Sequence, residues 1–202
     1  MKNRSVMGLK KIYFPALLPI IFVLASCGGN SDQHNSLADN FAHRDIIILN
    51  APYQLSGSAA TEMEGVINAY LQLKDALVMD DENAADKAAG LLAQKTAAVN
   101  PGQLKDKGLE AWKNHQALYE TKLKEMRQIK GLDNKRSYFS HISEIMYCTI
   151  KSFGLKKGGL YAVFCPMAFD GKGAYWITGN KEIQNPYLGK KMPKCGEIKE
   201  EL

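Results

Sequence analysis

The chain has 202 residues and carries 26 Lys and Arg against 21 Asp and Glu, a formal charge of +5. Four of the cations and none of the anions fall within residues 1–26, which leaves 22 cations (26 less 4) against 21 anions beyond them. So small a surplus supplies no electrostatic footprint for nucleic acid, and about 175 residues suffice for one domain with a buried core.

At the start, Lys2, Arg4, Lys10 and Lys11 precede an apolar run from Ile12 to Leu24, broken only by Pro15 and Pro19, and Ala25-Ser26 close it. A basic start, a short apolar centre and a small-residue exit are the parts of a secretory signal. The run spans roughly 20 Å as a helix, short of the ~30 Å hydrocarbon core, so a transmembrane reading loses. Leu24-Ala25-Ser26-Cys27 resembles the lipobox of bacterial lipoproteins. The likeness implies a signal peptide over 1–26, cleavage before Cys27 and acyl chains on its thiol. Two or more chains anchor stably, so a lipid membrane is the first expected partner. The expected address is the cell envelope, lipid-anchored, facing the periplasm or on the outer membrane.

Residues 27–57 read as the lipidated cysteine and a tether. Gly28 to Ser36 is small and polar, and His34 and His43 read as solvated. Ile46-Ile47-Ile48-Leu49 interrupts the polar stretch as a short strand or an extended segment docking on the domain.

A single domain is expected over 58–202. From about Thr61 to Met79, Met63, Val66, Ile67, Tyr70, Leu73 and Leu77 fall near one helical face. Asp80-Asp81-Glu82 opens an alanine-rich second helix that stops at Asn100-Pro101-Gly102. The third runs from about Gln103 to Lys130 on a stripe of Leu109, Trp112, Tyr119, Leu123 and Met126, with Gln116 as a polar break. Asp133 is the expected cap of the fourth, in which Phe139, Ile142, Met146, Thr149 and Phe153 recur, and Gly154 ends it. The fold class is therefore mainly α, an antiparallel four-helix bundle over 58–154. Residues 155–202 form a small cap with a β-hairpin, its strands Leu160–Cys165 and Ala174–Thr178, and an irregular remainder. Tyr175 and Trp176 read as the core of that cap.

His141, Met146 and Cys148 share the fourth helix. Their spacing suits bundle side chains better than a shared ion. Glu110, Glu120, Glu125 and Glu144 read as solvated faces, and no phosphate loop or metalloprotease motif occurs. A binding protein rather than an enzyme is expected.

The cap holds a better constellation. An extended Cys165-Pro166-Met167 puts both sulfurs on one side, and a tight turn through Met192-Pro193-Lys194-Cys195 brings two more together. If the pieces meet, Cys165, Met167, Met192 and Cys195 offer thiolate and thioether donors, a set that selects Cu(I). The alternatives are a Cys165–Cys195 disulfide, or thiols and methionines that merely fill the cap. With Cys27 acylated, three cysteines remain, which allows at most one internal bridge.

The string from Cys165 to Trp176, with Glu182 to Tyr187 and Met192 to Gly196, resembles the domain-of-unknown-function family 3347, and Tyr70 to Leu77 resembles that family's first helix. The likeness spans roughly residues 61–198. Members of that family occur as stand-alone lipoproteins, including in Bacteroidota, and attached to periplasmic adaptor subunits of copper and silver efflux pumps. The resemblance implies heavy-metal handling, with copper/silver efflux components as partners. Cys165-Pro166-Met167 and Pro193-Lys194-Cys195-Gly196 also resemble the short heavy-metal-binding segment of such pumps. Ala168, Met192 and Glu197 depart from it, at positions where that segment has histidine, cysteine and methionine. The expected function is an envelope lipoprotein that binds Cu(I) or a related soft ion; the alternative is a metal-free interaction module docking on an envelope complex.

Overall fold

The computed structural model describes residues 45–155 and 158–202. The signal over 1–26, Cys27, the segment 28–36, His34 and His43 lie outside the described residues.

The described chain is mainly helical, with a small antiparallel sheet at its C-terminal end. Helix α1 is Gly57–Val78, α2 Glu82–Ala98, α3 Asp106–Gln128 and α4 Leu132–Phe153. Each packs on the next, and α1 also meets α4. Among the described residues no helix is long and apolar enough to cross a membrane.

The expected stripes become the core. Met63, Val66, Ile67, Tyr70, Leu73 and Leu77 of α1 are all buried, as are Trp112, Tyr119, Leu123 and Met126 of α3. Ala85, Ala88, Ala89 and Leu92 bury the face of α2, their small side chains letting its neighbours approach closely.

The helix ends follow local chemistry. Ser56 caps α1 by accepting from the Ala59 N–H at 3.3 Å, and Asp81 caps α2 by accepting from the Ala84 N–H at 2.9 Å. Helix α3 starts at Asp106 rather than Gln103, because Asn100 accepts from the Gly102 N–H at 2.9 Å and winds Pro101–Gln103 into a 3₁₀ turn. Asp133 does not cap α4. The cap position is Gly131, and Asp133 sits in the first turn, where its carboxylate accepts from Arg136 at 3.1 Å. Gly154 ends α4 in the left-handed conformation (φ 58°, ψ 35°), as expected.

Strands β1 (Tyr161–Cys165) and β2 (Ala174–Thr178) form the expected hairpin, with Cys165 opposite Ala174. A third strand, β3 (Glu197–Glu201), pairs antiparallel with the other edge of β1, giving the order β2-β1-β3. The segment had been expected to be irregular. Its alternation Glu-Ile-Lys-Glu-Glu leaves most side chains in water, as charged edge strands do.

Several bonds tie the cap to the helices. The Tyr70 hydroxyl on α1 accepts from the Ile177 N–H of β2 at 3.0 Å. Glu200 of β3 accepts from the Tyr147 hydroxyl at 2.8 Å and from Lys151 at 2.6 Å, both on α4.

Arg136 is buried and makes the third link. Its guanidinium donates to the carbonyls of Pro186 (2.9 Å) and Leu77 (3.2 Å), and to the carboxylates of Asp80 and Asp133. Fully buried Lys135 spends all three ammonium donors, on Asp86 (2.6 Å) and the carbonyls of Met126 (3.1 Å) and Ile129 (2.8 Å).

The described part of the expected tether docks on the domain. The Ile47 N–H donates to Asn114 at 2.9 Å, the Ile47 carbonyl meets His115 Nε2 at 2.5 Å, and the Leu49 N–H donates to Ser152 Oγ at 3.1 Å. Ile46 is buried. This strap lies against α3 and α4 as irregular backbone and pairs with no strand.

Candidate functional site

Cys165 ends β1 and is fully buried within the cap. After it the chain must turn back at once to supply β2. Phe169 (φ 53°) and Asp170 (φ 57°) take left-handed conformations, and Gly173 (φ 76°) completes the return. A Cβ at Gly173 would lie 2.3 Å from Phe164 Cζ, so both φ and space demand glycine there.

Cys195 arrives from the other side of the cap. Its N–H donates to the Met192 carbonyl at 3.2 Å, closing the tight turn expected through Pro193-Lys194. Gly196 lets the backbone pass Trp176, whose Cη2 would be 2.6 Å from a Cβ. The turn is held by fully buried Asn185. Its N–H donates to the Pro193 carbonyl at 2.8 Å, and its side-chain amide donates to the Cys195 carbonyl at 2.5 Å. The amide oxygen accepts from the N–H groups of Tyr187 (2.8 Å) and Leu188 (2.9 Å).

These two approaches bring the Cys165 and Cys195 sulfurs to 3.0 Å, both as free thiols. A disulfide needs about 2.05 Å. Two thiolates sharing one ion through ~2.3 Å bonds at a tetrahedral angle stand about 3.8 Å apart. The pair lies roughly 1 Å from either arrangement. Hydrogen bonding to Cys165, together with burial, pushes the Cys195 thiol above its ordinary pKa, while the Met167 N–H acts the other way. Cys195 is the half-exposed member.

Met167 and Met192 adjoin the pair in sequence. The extended backbone expected through Cys165-Pro166-Met167 stops at Cys165, because Met167 begins the return turn (φ −90°, ψ −7°). Buried Cys165 and exposed Met167 therefore do not share one side. Met167 is 54 % exposed and Met192 40 %, and with Met79 they are the exposed large hydrophobics among the described residues. Neither fills the cap. Among the described residues no group of three or more His, Cys, Asp and Glu side chains is placed to hold a metal.

The other candidates are bundle side chains. Met146 and Cys148 are buried, and burial, followed by the Glu144 charge, pushes the Cys148 thiol up to about 12. Glu144 is not on a solvated face. It is buried beside His141 (3.6 Å), next to a 220 Å³ pocket walled by Ile46, Leu118 and Ile145, because the strap covers that side of α4. Trp176 is fully buried in the cap, and Tyr175 is half-buried against Phe164 at 4.6 Å between ring centroids.

Sequence reasoning missed Asn185, Arg136 and His115. Asn185-Pro186 carries a turn signal, whereas no local pattern marks the other two. Buried His115 bridges the strap and α4, with its Nδ1 3.1 Å from Thr149 Oγ1, which is in turn 3.2 Å from the Tyr119 hydroxyl. Burial pushes its pKa down to about 4, against the opposing bond to the Ile47 carbonyl.

Comparison with curated proteins and with solved structures finds no match. A family model, described as a protein of unknown function (DUF3347), matches residues 66–158. The match takes in most of α1 and all of α2, α3 and α4, and stops before β1 and the two thiols. Over residues 66–158, the chain is therefore similar to the DUF3347 family of proteins of unknown function.

Proposed function

We propose that this chain is an exported envelope protein, anchored through acylated Cys27, whose C-terminal cap binds Cu(I) or a related soft ion. The single observation that carries the reading is the pair of thiols, thirty residues apart in sequence, whose sulfurs meet at 3.0 Å. Cys165 and Cys195 would be the thiolate donors, and Met167 and Met192 the thioether donors. Two exposed thioethers that adjoin the two cysteines in sequence are poor packing and suitable soft-ligand chemistry. The helices would serve as an antiparallel four-helix bundle that carries the cap and presents it to copper/silver efflux components.

The test is a Cu(I) titration of the full-length chain in detergent, under reducing conditions and against a competing chelator. One ion per chain, lost in the Cys165→Ser/Cys195→Ser variant, is expected. Equal uptake by the two proteins would remove the reading.

A second reading, a metal-free docking module, is favoured by an open groove of about 1100 Å³ between α2 and α3. Gly90, Ala93 and Ala97 floor it, and Gln116, Glu120 and Arg127 edge it. This reading predicts that the Cys165→Ser/Cys195→Ser variant keeps full function in the cell.

A further inference from the structure

We infer that Cys165 and Cys195 are a reversible thiol–disulfide exchange couple, entered at Cys195 and resolved by Cys165, and that its oxidation closes the soft-metal site. The gating clause rests on the metal-binding reading; the exchange itself does not.

Three observations assign the roles. The sulfurs are already in contact at 3.0 Å, so the bond forms by a movement of roughly 1 Å. The two thiols differ in access, Cys165 being fully buried and Cys195 half-exposed. An external disulfide can therefore reach Cys195 and not Cys165. The third described thiol, Cys148, is buried on α4 and does not pair with either.

The co-reactant is a disulfide of low molecular weight or on a carrier protein, as an oxidising compartment supplies. Cys195 gives its proton to water and attacks one sulfur of that disulfide. The external S–S bond breaks, one half leaves as a thiolate, and the other stays on Cys195 as a mixed disulfide. Cys165 then attacks the Cys195 sulfur. The Cys165–Cys195 bond forms, the second half leaves, and that leaving thiolate takes the Cys165 proton. Two protein thiols are oxidised and one external disulfide is reduced to two thiols. External thiols reverse the sequence at the same accessible sulfur. Once bonded to each other, neither sulfur is a thiolate, and the site loses its two anionic donors.

The experiment equilibrates the full-length chain in detergent with glutathione at graded oxidised-to-reduced ratios, traps free thiols by alkylation and maps the peptides. The wild type should yield a linked Cys165–Cys195 peptide that appears and disappears reversibly as a two-electron transition, unchanged in Cys148→Ser. Cys165→Ser should trap a glutathione adduct on Cys195, formed at least ten-fold faster than any adduct on Cys165 in Cys195→Ser. Absence of the linked peptide, or equal adduct rates in two variants of unchanged circular dichroism, overturns the exchange couple. Cu(I) uptake is then compared between oxidised and reduced wild type. Uptake by the reduced form alone supports the gate, and equal uptake overturns it. If the reduced chain takes up no Cu(I), the metal reading fails together with the gate, while the peptide map still decides the exchange.

Discussion

The side-chain amide of Asn185 donates to the carbonyl of Cys195 at 2.5 Å, so a fully buried residue fixes the backbone of the half-exposed thiol ten positions later. The same side chain accepts from two N–H groups of the following turn. One amide thus sets both halves of the loop that carries Cys195.

Asn185→Ala leaves one buried and one part-buried N–H group and one carbonyl unpaired, at about 1–3 kcal/mol for such a loss. Urea unfolding should show a lower midpoint with an unchanged slope. Cys165–Cys195 crosslinking by a mild oxidant should slow as well, because the turn no longer holds the sulfurs together. An unaltered crosslinking rate would assign Asn185 to stability alone.

Burial holds His115 neutral in the folded protein, with its pKa at about 4 against an ordinary 6.5. The unfolded chain takes up the proton first as pH falls. Stability present above pH 6.5 is therefore lost between 6.5 and about 4, and the loss levels off below that, at roughly 3 kcal/mol. His115→Gln should flatten this part of the profile. Unfolding free energies at pH 7, 5.5 and 4.5 measure it, and an equal slope in the variant refutes the assignment.

Asp80 shows the opposite ionisation at a second junction. Burial works to raise its pKa, but the Lys190 N–H and the Arg136 guanidinium outweigh that and hold it below the ordinary 3.8. Its stabilisation is present above pH 3.8 and disappears as pH falls through the lower folded value. Asp80→Asn should remove that acid-side loss. Arg136→Ala should cost at least about 3 kcal/mol, because it strands buried carbonyls as well as the carboxylate. Thermal melts of both variants at pH 7 and pH 3 test the pair.

Gly173→Ala places a methyl group against Phe164 at a backbone angle that L-residues avoid. A loss of about 2 kcal/mol is expected, seen as a lower melting temperature. Combining it with Phe164→Ala should cost less than the two single changes summed, since one clash is shared.

Oxidation should stabilise the cap. Closing the thirty-residue loop between Cys165 and Cys195 gives about 3–4 kcal/mol in the chain-entropy treatment. Unfolding followed with and without reductant reads this directly, with Cys195→Ser as the control that should not respond.

The helices were legible because their apolar residues recur at 3.6-residue spacing, with acidic Asp81 at the start of α2 and Gly154 at the end of α4; the cap at Ser56, which starts α1 at Gly57 rather than near Thr61, was not read. The first turn of α3 was not. Asn100 folds back on Gly102 and uses up the residues that seemed to begin the helix. Strand β3 was hidden by its charges, which belong to an edge and carry no hydrophobic period. The meeting of Cys165 with Cys195 was readable as a possibility, since both sit in the cap. The directions of Met167 and Met192 depended on the turn after β1, whose left-handed Phe169 and Asp170 no composition signals. Asn185, Arg136 and His115 act across distances of ten to sixty-eight residues, where sequence spacing carries no message.

The strap also decides how the domain is held. Residues 45–53 are pinned to the bodies of α3 and α4 by bonds to Asn114, His115 and Ser152 before α1 begins at Gly57. A pull on the chain ahead of Asp45 would meet these bonds before it met the first turn of α1. Load arriving from that side would therefore reach α3 and the C-terminal end of α4 first.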